Sequence, residues 1–442
     1  MNIRLSDHFT YRRLFRFTLP SIAMMIFTSI YGVVDGFFVS NFVGETAFTA
    51  VNFIMPFLMI LGAVGFMFGT GGGAIVAKTL GEGDRSRANR YFSLFVYLSL
   101  GIGVALAALG ILVLRPVAAL LGATGAMLED CVTYGRIILI ALPCFMLQME
   151  FQSFFVTAEK PQLGLLSTLL SGVTNMVLDA LLVAVFPLGI VGAALATAIS
   201  QAVGGILPLV YFLSRNSSLL RLTRTRYDGK AVLRATVNGS SELMSTVSMS
   251  LVGMLYNVQL LRYAGEAGVA AYGVMMYVNM VFLSLFIGYS IGTAPIIGYH
   301  YGAKNTVELR GILCRSLVII SSFSVLMLAA AELLALPLAR IFVGYNPALL
   351  ELTRHGFVIF SLTFLFAGFA IFASGFFTAL SDGVTSAIIS FLRTLVFQIA
   401  AVMLLPLVFG VDGIWISAVV AEASAVAVGT VFLVVKQKRF GY

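Results

Sequence analysis

Charge is what this chain of 442 residues has least of. Only 10% of its residues are Asp, Glu, Lys or Arg, while 60% are hydrophobic. A soluble domain carries about 25% charged residues, and this chain could not cover a water-facing surface with so few. The shortage excludes a soluble globular enzyme, a nucleic-acid-binding protein and a disordered scaffold. Cysteine is equally sparse. Cys131, Cys144 and Cys314 are odd in number and none lie at metal-ligand spacing, so they indicate neither a disulfide framework nor a zinc site. The sequence also lacks H-E-x-x-H and a phosphate-binding glycine loop, which argues against an intramembrane enzyme and against ATP use. No catalytic residue and no cofactor are therefore expected. Short alternating apolar strands are missing too, which excludes an outer-membrane barrel.

What the chain does have is long apolar runs. A bilayer core of ~30 Å takes ~20 apolar helical residues to cross. Twelve such runs occur, near 13–40, 49–77, 91–114, 132–157, 162–186, 190–213, 234–261, 269–299, 312–339, 352–379, 384–408 and 411–435. The expected fold is an all-α polytopic membrane protein. The first run follows Arg4, Arg12, Arg13 and Arg16, is full span length and lacks a small-residue cleavage site, so no cleaved signal is expected.

The net charge of +8 sits in short loops and orients the chain rather than binding phosphate. With the N-terminus in the cytoplasm, 21 of the 27 basic residues fall on the cytoplasmic side. They include the cluster Arg215, Arg221, Arg224, Arg226, Lys230 and Arg234. Arg393 alone falls inside a span. Both termini are accordingly expected in the cytoplasm, in a multi-pass protein of the cytoplasmic membrane.

An internal repeat organises the runs. At an offset of 221 residues, Gly71 meets Gly292, Gly81 meets Gly302 and Pro116 meets Pro337. Gly135 meets Gly356, Gly189 meets Gly410, and Gly192 meets Gly413. Six coincidences at one offset, which is half the chain, point to two six-helix lobes, 1–213 and 234–442, joined by a loop at 214–233. Six is even, so the lobes run in the same sense and are related by an axis along the membrane normal, an arrangement found in secondary transporters. Rocking of two such bundles opens a central cavity alternately to either side. Among the 18 methionines and 37 phenylalanines, Met24, Met25, Met275 and Met276 are candidates for an adaptable cavity wall.

Charges inside spans are costly and mark function by default. Asp35, Glu150, Asp179, Glu242, Glu332 and Glu422 stand against Arg393 alone. A cavity so lined favours cations, and carboxyls in low dielectric can exchange a proton or a metal cation. Asn175 and Asp179 are four apart and share a helix face. Thr197 follows on the next helix, and Asp35 lies near the outer end of the first. Together they offer hard oxygen ligands for sodium or a shared proton; alternatively Asn175 and Asp179 hydrogen-bond each other and lock two helices. Their partners at the repeat offset are Tyr256 for Asp35, Val396 for Asn175 and Ala400 for Asp179, so the halves are chemically unequal. Glu242 is either a second cation-attracting group or, as the local sequence favours, a cap at a helix start. Glu332 lies near an outer helix end. Arg393 can pair with Glu150 or Glu422. Pro20 removes a helix hydrogen bond about four turns before Asp35 and either permits bending or starts the helix.

These residues carry a family resemblance over the whole chain. Asn175-Met176-Val177-Leu178-Asp179 and the run Gly189 to Gln201 resemble the fifth and sixth helices of prokaryotic MATE-family multidrug antiporters. Pro20, Tyr31-Gly32-Val33-Val34-Asp35 and Gly81-Glu82-Gly83-Asp84 add to the likeness. The multidrug-export and DNA-damage-inducible branches are the most similar. The resemblance implies that Asp35, Asn175, Asp179 and Thr197 form a cation site in the N-terminal lobe, for Na+ or H+. It implies export of lipophilic, mostly cationic organic compounds, and a two-lobe transporter of this kind can work as a monomer. One departure is Ala180, where many relatives have proline. A flippase for a lipid-linked or polysaccharide precursor is the alternative; it would want a basic cavity, which the acidic excess opposes. A channel is less consistent with a two-fold repeat.

Overall fold

The computed structural model describes residues 3–344 and 346–442, and every element in them is helical. Ten helical stretches are long and apolar enough to cross a bilayer, and the pair Pro347–Ser361 and Phe364–Ala379, bent by 47° at its junction, makes an eleventh. One of the ten, Gly229–Gly302, is 74 residues long and breaks at Gly265, where φ is 65° and ψ −160°. Divided there, it yields the twelve expected spans. They are α1 (Tyr11–Phe38), α2 (Glu45–Gly81), α3 (Arg85–Leu121), α4 (Gly125–Thr157), α5 (Pro161–Asp179) and α6 (Gly189–Leu213), then α7 (229–264), α8 (266–302), α9 (Thr306–Val343), the bent α10 (347–379), α11 (Gly383–Phe409) and α12 (Val411–Phe440). Helix α7 starts earlier than its apolar run, because Asp228 accepts from the backbone N–H groups of Lys230 and Ala231 and so fixes the first turn.

The 221-residue offset is visible in the backbone. Shifted by it, α2 falls on α8, and Asp84, which caps α3, falls on Asn305, which caps α9. The break at Gly265 falls on Gly44, also at positive φ, and Gly189 and Gly410 share φ values of 62° and 60°. Gly81 and Gly302 make the clearest case. A Cβ on Gly81 would overlap the carbonyl of Tyr299, and one on Gly302 would overlap the carbonyl of Lys78. Shifting one residue of the pair by +221 and the other by −221 converts one contact into the other. Two parallel lobes thus meet across a pseudo-two-fold axis, α2 against α8, with no room for a side chain at the crossing.

The packing is asymmetric along that axis. On the face that carries both termini, one core spans the two lobes, from Phe68, Phe92 and Phe151 to Tyr289, Phe372 and Phe376. Toward the other face the core divides. One part, around Leu58, Leu139 and Met146, belongs to the first lobe; another, around Leu260, Phe364 and Trp415, belongs to the second. The lobes share one core on the terminal face, and toward the opposite face each keeps a core of its own. Large apolar side chains such as Leu112, Leu120, Ile140 and Val408 cover the outside, as a hydrocarbon solvent requires. Met24 and Met275 are buried in the cores.

Residues 3–10 lie as a strap across the closed face. The Leu5 N–H donates to Glu159 (2.6 Å) in the first lobe, and the Phe9 N–H donates to Glu308 (2.8 Å) in the second. His8 Nδ1 lies 2.6 Å from the same Glu308 carboxylate, and Arg315 reaches it at 3.3 Å. Phe9 is fully buried against the His300 ring.

Candidate functional site

Four of the singled-out residues converge in the first lobe, in its half toward the face opposite the termini. Asp179 is the last residue of α5, and Asn175 sits one turn before it; both are buried. Thr197 on α6 donates toward Asp35 Oδ1 at 3.5 Å. The side chains of Asp179 and Asn175 also come within reach of the Asp35 carboxyl. Neither oxygen of Asp179 is held by a well-formed hydrogen bond, and Asn175 Oδ1 is free as well. The expectation that Asn175 and Asp179 satisfy one another is therefore not met. Two carboxyls stand side by side with no basic group among them. Two bare charges so placed would repel strongly in such a medium. A shared proton or a bound cation would relieve that repulsion, and the surrounding oxygens are hard ligands suited to either.

The backbone helps to place them. The chain makes a π-helical turn at Ala180–Val185 directly after Asp179, and another at Val39–Val43, one turn after Asp35. Such wide turns re-aim side chains and recur at functional sites. Ala180, the departure from proline, opens the first of them.

Two tyrosines and a glutamine complete the site, and sequence reasoning missed them. Tyr134 on α4 is fully buried, with its hydroxyl unpartnered, and lies beside Thr197 and the two carboxyls. Tyr31 stands one turn before Asp35 and within reach of Gln148. Gln148 donates to Ser171 Oγ (3.2 Å), which donates to the Ser200 carbonyl (2.7 Å) and ties α4, α5 and α6 together. On α5 a buried polar residue recurs every turn (Thr168, Ser171, Asn175, Asp179), whereas α4 offers no such pattern between Tyr134 and Gln148.

The second lobe carries no counterpart. Tyr256 takes the place of Asp35 and donates to Gln398 Oε1 at 2.8 Å, stacked on Tyr272 at 5.2 Å between ring centroids. Arg393 pairs with Glu422, Nε to the two carboxylate oxygens at 3.0 and 2.8 Å, and leaves Glu150 alone. Glu150 is wholly buried on α4 with neither oxygen bonded. Glu332 accepts from Ser361 Oγ at 2.6 Å. Glu242 does not cap a helix start: α7 begins at Gly229, so Glu242 lies more than three turns inside it. It lines a cavity between the lobes instead. Pro20 likewise lies within a continuous α1 rather than at its start, buried where Thr18, Ser21 and Ile22 press on Gly292 and Gly288 of α8.

Comparison with known proteins agrees with this architecture. The sequence model of the family described as MatE matches the chain twice, over residues 20–181 and 243–404. The multidrug export protein MepA of Staphylococcus saprophyticus is 25% identical over 425 residues, covering 93% of this chain and 91% of that protein. MepA of Staphylococcus haemolyticus is 25% identical over 371 residues, covering 81% and 80%. Among solved structures, an outward-facing multidrug resistance MATE family transporter of the MOP superfamily superposes with a TM-score of 0.92. It is 21% identical, with 98% of this chain and 97% of that chain covered.

Proposed function

Because the chain belongs to the MatE family of membrane transporters, we propose that it is a cation-coupled multidrug antiporter that exports lipophilic organic cations. The observation that carries this reading is the Asp35–Asp179 pair, Asp179 buried and Asp35 half-buried in one lobe with no basic partner, and replaced by neutral groups in the other. Such a pair accepts a proton or a sodium ion from one side and releases it to the other when its surroundings change. Asn175, Thr197 and Tyr134 supply the neutral oxygens around the ion.

The cycle follows from the two-lobe geometry. Substrate leaves between the lobes on the face where their cores are separate, and the shared core on the terminal face prevents leak. The excess of Lys and Arg on the terminal face supports placing that face in the cytoplasm and the opposite face on the outside. Ion occupancy of the Asp35–Asp179 pair changes the charge at the outer end of α1. Pro20 gives that helix a point at which it can bend, because the residue four positions earlier has lost its hydrogen-bond donor. Ion and substrate then exchange with opposite vectors, one chain being the working unit.

The test is efflux of a fluorescent organic cation from proteoliposomes under an imposed sodium gradient and, separately, a proton gradient. One gradient should drive efflux in the native chain, and Asp179→Asn should abolish it. Efflux that persists at the native rate in Asp179→Asn would end the proposal.

A further inference from the structure

The cavity that Glu242 lines belongs to neither lobe alone. Thr70 on α2 and Ser153 and Thr157 on α4 come from the first lobe; Glu242 on α7, Ser290 on α8 and Thr378 on α10 come from the second. Every polar group on its wall is an oxygen. The Ser153 side chain is 6% exposed, and its hydroxyl has no partner. Glu242 makes no ion pair. The basic group within electrostatic reach is Arg393 on α11, already matched by Glu422 on α12. The other carboxyl nearby is Glu150 on α4, whose backbone packs against Gly69 on the cavity wall. The walls from α2, α8 and α10 add no charged group.

The cavity volume, ≈ 40 Å³, decides what fits. A drug-sized molecule takes a pocket of roughly 300–1,000 Å³. A water needs ~10–15 Å³ of such space. The space suits a small ion with a water or two. In the closed arrangement Glu242 is half-buried on the cavity wall, without a basic partner in a salt bridge and without a side-chain hydrogen bond, and a charge left so poorly compensated opposes closure. Separating α2 and α4 from α7, α8 and α10 would hydrate it again.

We propose that this interlobe cavity is a second cation site, distinct from the Asp35–Asp179 pair, in which one monovalent cation neutralises Glu242 whenever the lobes close on the terminal face. Ion occupancy here then sets the closed population directly. The idea rests on the alternating-access reading above, though not on which ion drives export. Sodium held by carboxylate and hydroxyls, and a proton on the carboxyl, supply the same neutralisation.

Spin labels at Ser86 and Val307, exposed residues related by the repeat offset, report the lobe separation by dipolar distance in lipid nanodiscs. The native cysteines are replaced first. One arm raises sodium at fixed pH and ionic strength; the other lowers pH without sodium. The closed population should rise in one arm, and that arm names the ion. Glu242→Gln, neutral and nearly isosteric, should remain closed throughout and lose the response. Ser153→Ala should keep the response with its midpoint moved by roughly threefold to tenfold, the worth of one hydrogen bond. The response should survive Asp35→Asn/Asp179→Asn. A native chain with no response in either arm would overturn the proposal, as would a response retained by Glu242→Gln or a midpoint unmoved by Ser153→Ala. If Glu242→Gln loses the response while no gradient drives dye efflux, the antiport reading fails and this site stands.

Discussion

The closed terminal face rests on glycine at the crossing of α2 and α8, and a single methyl group tests it. In Gly81→Ala the added Cβ overlaps the Tyr299 carbonyl oxygen and crowds the Ala303 backbone. Those atoms are helical main chain, so neither can rotate away. Overpacking of this kind costs about 1–3 kcal/mol. The cost falls only on the closed state, since opening removes the contact while each lobe keeps its own core. With about 1.4 kcal/mol per factor of ten, the open-to-closed ratio should rise by roughly 5- to 150-fold. Gly302→Ala, the same contact seen from the other lobe against the Lys78 carbonyl, should match it. Gly101 on α3 has no atom within 4 Å of where a Cβ would go, so Gly101→Ala is the control and should leave the ratio unchanged. Distances between labels at Ser86 and Val307 give the populations, and thermal denaturation of each variant checks that the lobes remain folded. A native-like distance distribution in Gly81→Ala would refute the reasoning, because the helices would then tolerate a side chain at their crossing.

Other consequences follow from particular contacts. Tyr134→Phe should weaken ion dependence of efflux by several-fold without unfolding the chain, read as the ion concentration that gives half-maximal rate; an unchanged value would remove Tyr134 from the site. Glu422→Gln leaves Arg393 buried without its counterion and should destabilise by about 3–5 kcal/mol, whereas Arg393→Met/Glu422→Leu should recover most of that. Denaturant unfolding distinguishes the two, and equal losses would contradict the pairing. Glu308→Ala deprives the Phe9 N–H, His8 and Arg315 of one shared acceptor and should loosen the strap by ~1–3 kcal/mol, seen as faster proteolysis of residues 3–10. Asp382 lies between α10 and α11, outside the spans. Burial tends to raise its pKa, but the hydrogen bond from Lys436 Nζ at 2.5 Å and that from Thr385 prevail and hold it below the usual carboxylate range. A depressed folded value contributes stability above the unfolded pKa of about 3.9 and loses it as pH falls further. Asp382→Asn should therefore flatten the acid limb of the stability profile; an unaltered limb would assign that loss to other groups.

Much of this was legible in the sequence, for identifiable reasons. A bilayer imposes one length and one polarity on every span, so twelve apolar runs gave twelve helices. The duplicated backbone keeps glycine on both sides of the α2–α8 crossing, so Gly81 and Gly302 reported a contact that neither residue could show alone. Asp35, Asn175, Asp179 and Thr197 were visible because polar side chains in apolar helices have few uses. Pairings were less accessible. Arg393 had two carboxylates within its plausible range, and only helix rotation selects Glu422. Glu242 looked like a cap because the apolar run starts near 234, whereas the helix begins at Gly229, capped by Asp228, outside the apolar zone. Tyr134 and Gln148 were hidden among aromatic and polar residues that also serve ordinary packing. The strap was invisible, since nothing local in residues 3–10 names Glu159 or Glu308 as partners.

In the proposed cycle an organic cation and a small cation exchange through the Asp35–Asp179 pair, and ion flux reads that exchange. Proteoliposomes are loaded with an organic cation and given no ion gradient, and the movement of sodium and of protons is followed as the organic cation leaves. One of the two ions should move in the opposite direction, in fixed proportion to the organic cation, and Asp179→Asn should stop both movements. Organic cation leaving at full rate with neither ion moving would contradict it.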